Sequence, residues 1–112
     1  MQLNHINLTV TDVEAAKSFL AKYFGLKVQG GNKGMAFLSD NNGLLLSLMK
    51  GKGNVDYPST FHIGFGQPTD AKVDEIYDRL IADGFKADPP QHLHGYTFYI
   101  EAPGGFTVEV LS

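Results

Sequence analysis

The spacing of hydrophobic residues changes from one period to another, and it does so in the same order in both halves of the chain. Residues 2–10 alternate apolar and polar side chains, which predicts a strand, and apolar residues then recur at helical spacing over residues 13–24. In the second half, Phe61–Phe65 alternates and a second helical stripe follows over residues 70–81. Each half is therefore expected to begin with a strand and a helix.

Short sequence signals place the helix ends. Thr11-Asp12-Val13-Glu14 has the spacing of a capping box, in which Thr11 accepts a hydrogen bond from the third helical amide and Glu14 reaches back. Thr69-Asp70 is expected to open the second helix, and Gly25 and Gly84 follow the two helices.

Three further strands are expected in the first half. A short strand around Leu26–Val28 precedes a glycine-rich loop at Gly30-Gly31, and Met35–Ser39 forms the next strand. A turn at Asn41-Asn42-Gly43 then joins it to a strand at Leu44–Met49.

The second half is expected to end in a hairpin. A short segment around Phe85–Ala87 and a loop rich in proline and histidine, Asp88–His94, lead into the final eighteen residues, Gly95–Ser112. These read as two alternating strands joined by a turn at Pro103-Gly104-Gly105.

The two halves align as an internal repeat. His5 falls on the same position as His62, and Ser47 on the same position as Glu109. The predicted fold class is α+β, with two tandem βαβββ units that form a curved mixed β-sheet cup with the helices outside. The whole chain, residues 1–112, is expected to be a single domain, with unit 1 at about 1–50, a linker at about 51–58 and unit 2 at about 59–112.

Composition excludes several classes of protein. The net charge of −3 with scattered lysines and arginines leaves no basic stripe for nucleic acid. The absence of cysteine excludes thiolate chemistry and suits a cytoplasmic protein. No apolar run is long enough to cross a membrane, and the opening residues do not resemble a signal peptide.

The final strand places a carboxylate, Glu109, among apolar neighbours, and a half-buried charge needs a partner. If the polar faces of the two sheets line one pocket, His5, His62 and Glu109 converge there. Two imidazoles and a carboxylate then suit a divalent metal ion with open positions for a ligand. Phe37 and Met49 fall on the same side and are expected to pack there or grip a ligand.

Three stretches together resemble the vicinal oxygen chelate superfamily, which includes glyoxalase I, fosfomycin-resistance enzymes, bleomycin-resistance proteins and extradiol dioxygenases. They are NHINLTVTD near the start, FHIGF in the middle and EAPGGFTVEV near the end, and the resemblance covers essentially the whole chain. It implies one divalent ion per chain (Zn, Ni, Mn, Fe or Co) held by His5, His62 and Glu109. It also implies a small-molecule ligand and a homodimer.

The resemblance also suggests roles for nearby residues. Tyr99 matches a tyrosine near the substrate in fosfomycin-resistance and extradiol enzymes, and His94 or His92 matches an acid–base histidine of the dioxygenases. Tyr99 and His94 are therefore the predicted catalytic residues. The predicted substrate-binding residues are Asn7, Phe37, Ser47, Met49 and Tyr99.

The resemblance favours a metal-dependent enzyme of glyoxalase-like type, with lyase, isomerase or transferase chemistry. Ser47 departs from the pattern, because it stands where glyoxalase I has a fourth, carboxylate ligand. Two alternatives stay open from the sequence. One is a metal-free drug-binding protein of the bleomycin-resistance type, and the other is an Fe(II) extradiol-type dioxygenase, although most of those enzymes carry a second pair of units.

Overall fold

The computed structural model describes all 112 residues and divides them into two compact units, residues 1–57 with 103–105 and residues 58–102 with 106–112. Each unit has a four-stranded mixed sheet and one helix. The elements follow in this order: β1 (His5–Val10), α1 (Val13–Phe24), β2 (Lys27–Asn32), β3 (Met35–Ser39), β4 (Leu45–Lys50), β5 (Ile63–Gly66), α2 (Asp70–Ala82), β6 (Gln91–His92), β7 (Tyr96–Ala102) and β8 (Phe106–Leu111). The predicted α+β class and the two tandem βαβββ units are confirmed.

The two sheets are built in the same way. The strand order is β1-β4-β3-β2 in the first unit and β5-β8-β7-β6 in the second. In each unit the first strand pairs in parallel with the last, and the other pairs are antiparallel. Both sheets are open, so each has two edge strands.

The helical stripes cover one face of each sheet. Helix α1 packs on β3 and β4, and helix α2 packs on β7 and β8. The buried residues of α1 are Val13, Ala16, Phe19, Leu20 and Tyr23, and those of α2 are Val73, Ile76 and Leu80. Successive side chains of each strand point to opposite faces of the sheet. The face that does not contact the helix is therefore left for polar side chains.

The start of α1 differs from the predicted capping box. Asp12 is the N-cap, and its side chain accepts a hydrogen bond from the Ala15 amide at 3.0 Å. Thr11 therefore lies outside the helix, and Glu14 pairs with Lys17 at 2.8 Å instead of reaching back. The prediction was wrong because Asp and Thr are both good N-caps and the sequence offers them side by side. For α2 the expected cap is correct, since the Thr69 hydroxyl accepts from the Lys72 amide.

Several strand boundaries also differ from the prediction, including the first, because β1 begins at His5 and not at residue 2. The Gly30-Gly31 segment is part of β2, because it pairs with β3 after a bulge between Val28 and Gly30. In the second unit the short strand is β6, inside the predicted loop, since the preceding Pro89-Pro90 has no amide hydrogens to donate. Strand β5 begins one residue after His62.

Candidate functional site

Glu109 lies in the middle of β8 and is only 5% exposed. Its cross-strand partners are Gly64 on β5 and Tyr99 on β7. A carboxylate buried to this degree is stable only if its oxygens are hydrogen-bonded or paired with charge.

The two oxygens of Glu109 have different partners. Oε2 accepts hydrogen bonds from the Thr97 hydroxyl at 2.6 Å and from His94 Nε2 at 2.5 Å. Oε1 faces His62 Nε2 at 3.3 Å. The partners that were predicted for this buried carboxylate are therefore present in the second unit.

These contacts keep Glu109 ionised. Burial by itself raises the pKa of Glu109, but the hydrogen bonds from Thr97, His94 and Tyr99, together with positive charge on His94, outweigh it, so that the pKa lies below its ordinary value. Glu109 is consequently a carboxylate, with both oxygens acting as acceptors, at neutral pH.

The hydrogen bond at the other side of His62 fixes its tautomer. His62 Nδ1 lies 3.0 Å from the Thr60 carbonyl oxygen, which can only accept, so Nδ1 carries a proton. In a neutral ring, Nε2 then presents a lone pair to Glu109 Oε1 at 3.3 Å. Two electron-pair donors then face each other, an arrangement that a cation between them would stabilise.

Tyr99 completes this cluster. Its ring makes an edge-on contact with the His62 ring, with centroids 5.5 Å apart, and the side chain is 40% exposed. Partial burial, the hydrogen bond to Glu109 and the negative charge of Glu109 all raise the pKa of Tyr99. The phenol therefore keeps its proton and acts as a hydrogen-bond donor at the exposed side of the cluster.

The depressed pKa of Glu109 leads to a prediction about acid stability. A carboxyl group whose pKa is lower in the folded state stabilises the fold above its unfolded-state value, near 4.5, and loses that contribution as the pH falls through the folded-state pKa. We expect the free energy of unfolding of the wild type to fall more steeply than that of Glu109→Gln below this pH. Urea titrations at a series of pH values measure both slopes, and parallel curves would contradict the assignment.

The first unit holds four of the five predicted substrate-binding residues on one face of its sheet, and Tyr99 lies in the second unit. Asn7, Ser47 and Phe37 are cross-strand partners on β1, β4 and β3, and the Ser47 hydroxyl donates to Asn7 Oδ1 at 2.7 Å. Met49 follows two residues along β4 on the same face and is 39% exposed. His5, at the start of β1, places its Nδ1 2.7 Å from Asn4 Oδ1.

The two sheets have equivalent registers. In unit 1, Asn7 on β1 is paired with Ser47 on β4, and in unit 2, Gly64 on β5 is paired with Glu109 on β8. His5 lies two residues before Asn7, and His62 lies two residues before Gly64. Ser47 and Glu109 are therefore equivalent in structure as well as in sequence.

The sequence predicted that His62, His94, Tyr99 and Glu109 are site residues, and these four side chains lie close together in the second unit. No role was predicted for Thr97. The available signal was its position two residues before Tyr99, which puts both side chains on the same face of β7. The bond itself is diagonal across the β7–β8 ladder and depends on a register that the sequence does not give.

The donor atoms around Glu109 are a partial fit to a metal ion. Two atoms bound to one ion at about 2.0–2.2 Å lie roughly 3.0–3.5 Å apart, and His62 Nε2 and Glu109 Oε1 are separated by 3.3 Å. The tautomer of His62 and the ionised carboxylate are also those that a metal requires. No three His, Asp or Glu side chains, however, are arranged as a complete metal centre.

A sequence profile of the Glyoxalase/Bleomycin resistance protein/Dioxygenase superfamily matches residues 2–110. The chain belongs to this superfamily. A comparison with curated proteins found no match. Neither helix is sufficiently long and apolar to span a membrane.

Solved structures of the superfamily resemble this chain over nearly its whole length. A possible glyoxalase from Bacillus cereus is 54% identical, with a TM-score of 0.96, and the match covers 100% of this chain and 99% of that one. The oxidase ChaP-H2 is 26% identical, with a TM-score of 0.79 and coverage of 100% and 93%. A mutant of the fosfomycin resistance protein FosX from Listeria monocytogenes, complexed with Mn(II) and 1S,2S-dihydroxypropylphosphonic acid, is 24% identical. Its TM-score is 0.82 with coverage of 98% and 90%, and at this identity the likeness shows the shared fold alone.

Proposed function

We propose that this chain is a metal-dependent enzyme of the superfamily, of glyoxalase-like type, and that His62 and Glu109 bind its divalent ion. The observation that carries the proposal is the pair of facing electron-pair donors, His62 Nε2 and Glu109 Oε1, at 3.3 Å. The similarity to a possible glyoxalase from Bacillus cereus at 54% identity supports the reaction class.

Each residue of the cluster has a distinct part in this proposal. Thr60 holds His62 in the tautomer that exposes Nε2, and Glu109 contributes Oε1 while its other oxygen stays hydrogen-bonded. A divalent ion supplies Lewis acidity, which stabilises negative charge on the oxygens of a small substrate. Tyr99 keeps its proton, which it donates to Glu109 and would turn to a substrate oxygen beside it, while exposed His94 is the candidate for proton transfer.

The remaining sequence predictions belong to the same proposal. His5 is expected to be a third ligand, because Asn4 occupies its Nδ1 and leaves Nε2 for an ion. Asn7, Phe37, Ser47 and Met49 are expected to contact the substrate, and they share one sheet face in unit 1. The identity of the ion, among Zn, Ni, Mn, Fe and Co, is to be determined by measurement.

Metal titration tests the proposal directly. We expect tag-free protein to bind close to one Co(II), Mn(II), Ni(II), Zn(II) or Fe(II) ion per chain in isothermal titration calorimetry. His62→Ala should lose most of this affinity, and His5→Ala tests the third ligand. His92→Ala is the matched control, because exposed His92 packs against the Tyr96 ring, with centroids 4.8 Å apart, and has no hydrogen bond to Glu109. If wild-type protein binds none of these ions, the proposed metal-dependent enzyme is wrong.

We also propose a homodimer. Strand β2 is an edge strand, and all six of its residues are exposed, so that its outer backbone groups are open to pairing. Sedimentation velocity is expected to give a mass of about twice the 12.2 kDa of one chain, and a single species at that monomer mass would contradict the proposal.

A further inference from the structure

The carboxylate of Glu109 is held asymmetrically. The short hydrogen bonds from Thr97 and from His94 both go to Oε2, whereas His62 Nε2 lies 3.3 Å from Oε1, and Tyr99 makes a further hydrogen bond to the carboxylate. A carboxylate with one oxygen engaged in this way cannot rotate to offer both oxygens to one ion without breaking hydrogen bonds.

The two hydrogen-bond donors are not equally well fixed. His94 lies in the connection between β6 and β7 and its side chain is 54% exposed. Thr97 lies inside β7 and is 2% exposed, so its hydroxyl is held by the strand itself. A valine would fill the same buried position in a strand equally well, so packing does not explain why this side chain carries a hydroxyl.

We propose that Thr97 is a positioning residue that fixes Glu109 as a one-oxygen donor and thereby sets which ions the site accepts. The inference rests on the proposed function, because it assumes that Glu109 is a ligand. A carboxylate limited to one oxygen suits ions that take few ligands, such as Co(II) or Zn(II). It disfavours Ca(II), which takes six to eight oxygen ligands and often binds both oxygens of a carboxylate.

The test compares three threonine variants with Co(II) and Ca(II) as the probes. Thr97→Val removes the hydroxyl and keeps the shape, and it should weaken Co(II) binding by about 10–100-fold, as is typical for the loss of an outer partner of a metal ligand. The ratio of Co(II) to Ca(II) affinity should fall, and the visible absorption spectrum of bound Co(II) should change. Thr97→Ser keeps the hydroxyl and should restore all three properties.

Thr107→Val is the matched control. Thr107 is on the same hairpin, and its hydroxyl also donates to a carboxylate, but to Glu101 Oε1, at 2.5 Å, and not to Glu109. This variant should bind Co(II) like the wild type. Thermal unfolding of each variant shows whether it is folded under the conditions of the titration, and Thr97→Ala, which also lacks the hydroxyl, replaces Thr97→Val if that variant is not.

The outcomes separate this inference from the proposed function. If the wild type binds Co(II) and Thr97→Val matches it in affinity, selectivity and spectrum, the positioning role is wrong and the metal site stands. If Thr97→Ser shows the same loss as Thr97→Val, the hydroxyl is not the cause and the inference also fails. If the wild type binds no Co(II), the proposed function and this inference fail together.

Discussion

Glu109→Gln should lower the affinity for Co(II) by more than about 100-fold, since the loss of outer-shell partners alone typically costs about 10–100-fold. The substitution preserves the size of the side chain and removes its negative charge. An amide oxygen in place of Oε1 is a weaker donor toward a divalent ion, and an amide nitrogen there would direct hydrogens at it. The variant should stay folded, because the apolar face of β8 is unchanged.

The matched control for this experiment is Glu101→Gln. Glu101 is on the neighbouring strand of the same hairpin, is exposed and accepts a hydrogen bond from Thr107. Calorimetric titration of both variants against Co(II) should leave the Glu101 variant with wild-type affinity. Equal losses in both variants would show that general surface charge, and not a ligand, governs the binding.

Phe106→Ala should lower the free energy of unfolding by about 3–5 kcal/mol, the range observed when a buried phenylalanine is truncated. Phe106 is 1% exposed and begins β8, on the same face as Val108 and Val110, and α2 packs on this strand. Because domains of this size have a total stability of about 5–15 kcal/mol, the loss is a large part of the whole.

Urea unfolding at neutral pH measures this change, and Phe106→Leu is the control that keeps most of the buried volume. We expect the leucine variant to lose much less stability than the alanine variant. A loss under about 1 kcal/mol in Phe106→Ala would mean that the site relaxes around the missing ring. Together with Glu109→Gln, the experiment separates the face of β8 that supports the fold from the face that carries the site.

Much of the fold followed from hydrophobic spacing. The helical spacing of apolar residues repeats several times in α1 and in α2, and the alternation of apolar and polar residues repeats several times in β3, β7 and β8. A pattern that repeats in this way identifies the element as a helix or a strand. Strand β6 has two residues, which is too short for any period to show, and the glycines of β2 hide a strand because they add no side chains to the pattern.

The candidate site could be predicted only in part, for a similar reason. A carboxylate in a strand of apolar residues needs a hydrogen-bonding or charged partner. The internal repeat indicated that His62 was such a partner. The choice of Thr97 and His94 as partners depends on the diagonal geometry of β7 and β8 and on the path of the connection before β7. Neither is a local property of the sequence.

The most direct test of the central claim is an anomalous diffraction experiment on crystals grown with Co(II), with data collected on both sides of the cobalt absorption edge. We predict one anomalous peak per chain within bonding distance of His62 Nε2 and Glu109 Oε1, with Oε2 still bonded to Thr97. A map with no peak at these two atoms, or with cobalt only at other positions on the surface, would contradict the account.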